Sequence, residues 1–283
     1  MNEWDSWIGR EERRSDRVDT GQVGRWLATL DRDAAADPVV PQGFHFCLCL
    51  PDAPTSALGT DGHPRRDDSP LSFLPPVPLP RRMWAASKVE FALPLKLGEA
   101  VERRSRVLSV TAKQGGSGSL VFVDVAHENF GESGLAVREV QSLVYREAVP
   151  AGSPPAPPAP GEGTFDAGAW EHTRVLVPSE ALLFRYSALT FNTHRIHYDL
   201  TYASGEEGYR GLIVHGPLMA TLLLDLARQQ LGENALKTFA FRAMSPGVCG
   251  EELHLAMRGS GEAIELGAFA SDGRHVLSAA ASA

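Results

Sequence analysis

The most apolar stretch of the chain is LMATLLLDLA, residues 218–227, which is hydrophobic almost all round rather than along one stripe. A helix of that pattern has to be buried. Pro217 suits its first position, where a missing N–H costs nothing, and Gly232 suits its end, so a helix is predicted over 218–231. Ahead of it, TRVLV (173–177) is a short β-rich run, and Pro178 stops it. Ser179 then offers an N-cap to a second helix over 180–190, with apolar residues at 182, 183, 186 and 189. Three β-like runs close the chain, at 237–245, 251–259 and 262–282.

The first half repeats this order with different detail. Residues 10–19 read as a strand and 20–31 as a helix. An apolar run at 44–50 and a proline-rich loop at 51–80 follow, then β-like runs at 83–97, 101–113 and 120–145. Gly115-Gly116-Ser117-Gly118 predicts a hairpin turn. A helix followed by an antiparallel sheet, written twice, points to an internal duplication. Each half then suits an α+β arrangement, a curved antiparallel sheet around a helix. Between the halves lies AGSPPAPPAPGEG (151–163), whose five prolines fit neither helix nor central strand. The expected organisation is a domain over 1–150, a linker over 151–163 and a domain over 164–283.

Composition narrows the function. The net charge of −8 argues against a nucleic-acid partner. Cys47, Cys49 and Cys249 form no disulfide framework, and the first two sit in the apolar run FHFCLCL as small core residues. The charged N-terminus lacks the apolar core of a signal peptide, and no stretch approaches the ~20 apolar residues of a membrane span. The expectation is a soluble, cytoplasmic protein with no membrane partner.

The chemistry is concentrated in FNTHRIHYD, residues 191–199, which has neither a helical nor a strand period. A helical zinc pair would place histidines four apart with a glutamate between them. Here His194 and His197 are three apart with Arg195 between, so no metal is expected. A second histidine-glycine pair, His215-Gly216, stands at the mouth of the apolar helix. The first amides of that helix lack internal acceptors, and Gly216 lets a ligand approach its backbone. An imidazole base beside amides able to hold an oxyanion suits thioester enolate chemistry.

SALTFNTHRIHYD followed by YRGLIVHGPLMATLL resembles the MaoC-like hydratases and dehydratases of the hot-dog fold. FLPPVPLPRRMWAASKVEF and VREVQSLVYRE resemble the N-terminal dehydratase-type half of the double hot-dog members, including those that hydrate mesaconyl-C4-CoA and itaconyl-CoA. The family motif runs Asp-x-Asn-Pro-x-His-x-Asp. Aligning His197 with its histidine places Asn192 where many members carry an aspartate and His194 where they carry the asparagine; Asp199 matches the last aspartate. Asparagine never ionises, so no Asp/His dyad carries over. The resemblance therefore implies two tandem hot-dog domains, the first degenerate. It implies His197 as the main acid–base group, Asn192 orienting water or thioester, and His194 or Asp199 tuning the imidazole. A loop-fixing role for Asp199 is equally open at this point. The Gly216 amide would hold the thioester oxygen, with His215 beside it.

The implied activity is reversible water addition to an α,β-unsaturated acyl-CoA. Coenzyme A is part of the substrate, and no other cofactor is required. A branched C5 dicarboxylyl-CoA would need a cation for its distal carboxylate. Arg81 and Arg82 are the first candidates, Arg242 and Arg195 the rivals. Two alternatives stay open: dehydration of monocarboxylic 3-hydroxyacyl thioesters, and a non-catalytic acyl-CoA binding protein. A thioesterase would need an acid facing the thioester from the long helix, where Asp225, the only one, lies far from the N-terminus. Two hot dogs in one chain already supply a pseudo-dimer, and a homodimer or higher oligomer would build on it.

Overall fold

The computed structural model describes residues 3–33, 38–115, 118–150 and 152–283. The first half contains β1 (Glu11–Arg17), α1 (Thr20–Thr29), β2 (Arg81–Phe91), β3 (Ala100–Gly115), β4 (Gly118–Gly131) and β5 (Gly134–Arg146). The second contains β6 (His172–Leu176), α2 (Glu180–Leu189), α3 (Leu200–Gly205), α4 (Gly216–Leu231), β7 (Thr238–Ala243), β8 (Leu253–Ser260), β9 (Ala263–Ala270) and β10 (His275–Ser282). The turn expected at Gly116-Ser117 lies outside the described residues, but Gly115 pairs with Gly118 across it. The run expected at 262–282 is a hairpin, β9 and β10.

Among the described residues the ten strands form one antiparallel sheet in the order β1-β3-β4-β5-β2-β7-β10-β9-β8-β6. Each half reads first-third-fourth-fifth-second from its outer edge, so the duplication expected from the sequence is explicit in the topology. The halves join where β2 pairs with β7, Ser87 opposite Phe241 and Lys88 opposite Ala240.

The halves differ in their helices. Asp19 caps α1 and Ser179 caps α2 through bonds to Gln22 N and Leu182 N, and these two short helices lie side by side. Only the second half adds a long helix. Leu218–Ala227 of α4 is buried throughout, as its all-round apolar pattern requires. In the first half the stretch between α1 and β2 makes only 3-10 turns among its described residues, because its prolines forbid a helix. Its apolar run contributes Phe44 and Leu48 to a core shared with Trp26, Leu183, Leu218, Leu223 and Phe239. One long helix thus serves both halves, where one buried helix per half was expected. Asp225 is held by Arg174 at 2.7 Å and Arg228 at 2.9 Å. Among the described residues no helix is long and apolar enough to cross a membrane.

Leu223 is fully buried in this core. Leu223→Ala is expected to destabilise the chain by about 2–5 kcal/mol, through lost transfer energy plus a cavity. A urea unfolding midpoint that stays unchanged would contradict a core centred on α4.

Candidate active site

The motif FNTHRIHYD begins where α2 ends. Asn192 N donates to Ser187 O at 2.9 Å and Phe191 takes φ +47°, a left-handed helix ending that turns the chain sharply. Residues Arg195–His197 form a 3-10 turn. Buried Ile196 anchors it in a small cluster with Tyr202, Tyr209, Ile213 and Val248. Ile213 N donates to Ile196 O at 3.0 Å, and His197 Nδ1 lies 2.7 Å from Ile213 O. A carbonyl only accepts, so Nδ1 carries the proton and Nε2 keeps the lone pair. Burial pushes His197 down to about 4, and it is neutral at pH 7.

His215 stacks on His197, ring centroids 3.5 Å apart, and its Nε2 meets Ser187 Oγ at 2.9 Å. It occupies the N-cap position of α4, so Gly216 follows as the first amide of a sixteen-residue helix. That amide has no intrahelical acceptor and adds the positive end of the helix dipole. His194 stands edge-on to His197 at 5.6 Å, and burial, with neighbouring His63, pushes it down to about 2.

These groups line one large cavity of about 930 Å³ together with residues of β2. Trp84, Phe46 and Met219 give it apolar wall. The register of β2 against β5 shifts between Trp84 and Ala86, within the stretch of the strand that lines the cavity.

The residues singled out in the sequence separate here. His194, His197, His215, Gly216, Asn192, Arg81 and Arg82 line the cavity. The Oδ1 of Asn192 accepts from His194 N at 2.9 Å, so it shapes the turn. Asp199 touches no imidazole: it caps α3 through Tyr202 N and pairs with Arg195 at 2.7 Å, which is the loop-fixing role. Arg195 is spent on that pair and on Thr60 O, and does not line the cavity. Arg242 is also outside, exposed on β7, because strand alternation sends Phe241 inward and its neighbour out. Arg81 faces the cavity but is committed to Glu207 and to Tyr209 Oη at 2.8 Å. The Arg82 guanidinium makes no hydrogen bond or ion pair among the described residues, its backbone being paired in the β2–β5 ladder. Tyr186, one of the apolar positions of α2, is buried, and Tyr198 is half exposed.

The structure adds residues that the sequence did not single out. Asp61 and His63, from the loop between α1 and β2, stand beside His194: the His63 and His194 ring centroids are 4.2 Å apart. Arg66, which donates to the backbone carbonyls of Val77 and Pro80 and lies over the Tyr145 ring, lines the same cavity. Farther along, Arg103, Ser105, His127, Glu139 and Gln141 give the first half's sheet a polar lining. GTDGHPRRDD, residues 59–68, carried a signal in its histidine between glycine and proline, but it lies some 130 residues from the motif it meets.

The family model for hydroxyacyl-thioester dehydratase type 2 matches residues 43–249. The chain belongs to that family. It is 42% identical over 282 residues to the mesaconyl-C4-CoA hydratase of Chloroflexus aurantiacus, covering 98% of this chain and 96% of that protein. The fold is also that of HtdX of Mycobacterium tuberculosis, with a TM-score of 0.69, 17% identity and coverage of 96% and 99%. A second mycobacterial protein, described as having a double hot-dog fold, superposes with a TM-score of 0.59 at 14% identity, covering 97% and 95%. The chain is therefore a double hot dog.

Two results follow from this packing. Gly62 takes φ +88°, and a Cβ there would lie 1.9 Å from Thr193 O. Gly62→Ala is expected to unseat the loop from the motif and lower the melting temperature by several degrees; an unchanged melting temperature would show that the loop docks elsewhere. The second concerns pH. His45 and His127 are held at about 3, His194 at about 2 and His197 at about 4, against an ordinary 6.5. Below 6.5 the unfolded chain binds protons that the folded chain refuses, so stability falls as pH drops from about 6.5 toward these values. Urea midpoints measured across that window should decline, with proton uptake on unfolding; a flat profile would contradict buried neutral imidazoles.

Proposed function

We propose that this protein is a hydro-lyase that adds water reversibly to the double bond of a branched C5 dicarboxylyl-CoA, with mesaconyl-C4-CoA the foremost substrate, itaconyl-CoA the second, and citramalyl-CoA the product. The observation that carries the reading is His197, with Nδ1 tied to Ile213 O and a free Nε2, at the mouth of α4 beside the first-turn amide of Gly216. A thioester oxygen on that amide gains strength as the enolate charge develops, so the contact favours the transition state; one such donor is worth roughly 3–4 kcal/mol. His197 Nε2 would take a proton from water and return it to the carbon next to the thioester. Neither a metal nor a redox cofactor is needed for these steps.

The dicarboxylyl preference rests on Arg82. In mesaconyl-C4-CoA the free carboxylate sits on the carbon that receives water, so its cation must stand near the imidazoles. Arg82 lines the cavity, and burial first, with a smaller contribution from its charge, lowers the pKa of both His63 and His194. Arg81 is already paired with Glu207 and Tyr209, which leaves Arg82 as the cation for substrate. The mesaconyl-C4-CoA hydratase of Chloroflexus aurantiacus supports the same substrate class.

The test is hydration of crotonyl-, mesaconyl-C1-, mesaconyl-C4- and itaconyl-CoA, followed as loss of enoyl-thioester absorbance. Wild type should prefer a dicarboxylyl substrate, and His197→Ala should lose about 100-fold or more in kcat. Arg82→Gln should raise KM for that substrate roughly ten- to hundredfold, as expected for a charged hydrogen bond. Turnover of crotonyl-CoA alone would remove the clamp and leave the mechanism. No turnover with tight CoA-ester binding would favour a binding protein.

A further inference from the structure

Residues 59–63 belong to the first half, yet they are stitched to the motif of the second. Thr60 O accepts from Arg195 Nη1 at 2.8 Å, Asp61 O from Arg195 N at 2.9 Å, and Gly62 O from Thr193 Oγ1 at 2.5 Å. The absent side chain of Gly62 is what permits this approach. The fit delivers His63 to the cavity wall, next to His194 and near Arg82. Asp61 stands behind it: Oδ2 meets His63 Nδ1 at 3.0 Å and Oδ1 accepts from His63 N at 3.0 Å. Burial alone would raise the Asp61 carboxyl, but the bond and charge of His63 hold it down to about 2. The carboxylate therefore keeps the proton on Nδ1, and Nε2 is the atom with a lone pair to offer.

Taking the hydratase reading as its basis, we propose that His63 is a second catalytic imidazole, holding the attacking water, with Asp61 as its positioning residue. Asn192 stands where the related motif carries an aspartate, and its Oδ1 is already spent on His194 N. The missing acceptor for the water is supplied from the other half of the chain. One O–H bond of the water breaks and its proton passes to His197 Nε2. The oxygen bonds to the alkene carbon distal to the thioester, and the π pair moves into the enolate held by Gly216. His197 then returns the proton to the carbon next to the thioester. The other water hydrogen, donated to His63 Nε2 throughout, stays on the oxygen and becomes the product hydroxyl. Atoms and charge balance with no other reactant.

The ligand atoms of Asp61, His63 and His194 also lie within 4.8 Å of one another, which is close enough for a divalent cation. The Arg82 charge beside both imidazoles opposes that use. The experiment separates the two.

In the full chain, His63→Ala, His63→Gln and Asp61→Asn are compared with wild type and His197→Ala for kcat and KM on mesaconyl-C4-CoA across pH. His63→Ala is expected to lose about 100-fold or more in kcat with KM within about threefold. His63→Gln, whose amide oxygen still accepts from water, should recover part of that loss, and melting temperatures report whether the loop stays seated. Asp61→Asn removes the charge that favours the imidazolium of His63, so the acidic limb of kcat/KM should move to lower pH. The groups that face His63 and contribute to that limb are Asp61, His194, His197, Arg82 and Glu207. A His63→Ala enzyme that keeps kcat within threefold while His197→Ala is inactive overturns this role and leaves the hydratase reading standing. Wild-type activity lost to a chelator and restored by zinc or magnesium alone overturns it in favour of a metal. A wild type inert toward every thioester tried overturns the hydratase reading and this role with it.

Discussion

The hydrogen bond from His197 Nδ1 to the Ile213 carbonyl is the contact on which the site depends. It fixes which nitrogen keeps its lone pair. It also ties the 3-10 turn of the motif to the segment that leads into α4. His215 can stack on His197 only because Ile213 holds that segment at this distance. Gly216 then enters the cavity as the first amide of the helix. A surface histidine could titrate near 6.5, whereas this buried one is held near 4 and stays neutral. The cost of hiding these imidazoles is the acid sensitivity they bring to the fold.

The two halves divide the work through an asymmetry in an otherwise repeated topology. Both have five strands in the same order and a short capped helix. Only the second has the long helix. In the first, prolines keep residues 51–80 from forming one, and the freed chain crosses to the other half. There it docks on FNTHRIHYD and brings His63 to the cavity. The loop that stands in place of a long helix thus does more than widen a pocket. It is long enough to reach the cavity wall beside the motif of the other half. The β2–β7 junction holds the two in register, and Trp84 of β2 lies against Gly216 at the N-terminus of α4.

How much of this could be read from the sequence follows from the range of each interaction. Helix α4 was legible because its apolar residues leave no polar face, and α2 because Ser179 and its spacing announce it. The duplication was legible in outline from the order of runs. FNTHRIHYD stood out because it has too many polar groups for a core segment and too little period for a surface helix. Asp199 and Arg195, four apart, turned out to satisfy each other, which spacing permits but does not decide. Arg242 was misplaced because the face of a strand depends on register, and one residue of slip inverts it. Asp61 and His63 were missed because their partners lie far along the chain and a proline-rich loop has no period to extrapolate.

The most direct measurement is a crystal structure with methylsuccinyl-CoA, a saturated analogue that cannot be hydrated. Its thioester oxygen is expected within about 3.2 Å of Gly216 N. The carbon bearing the free carboxylate should face His197 Nε2, with the carboxylate on Arg82. An acyl group bound elsewhere in the cavity, with Gly216 N and His197 Nε2 left to solvent, would contradict it.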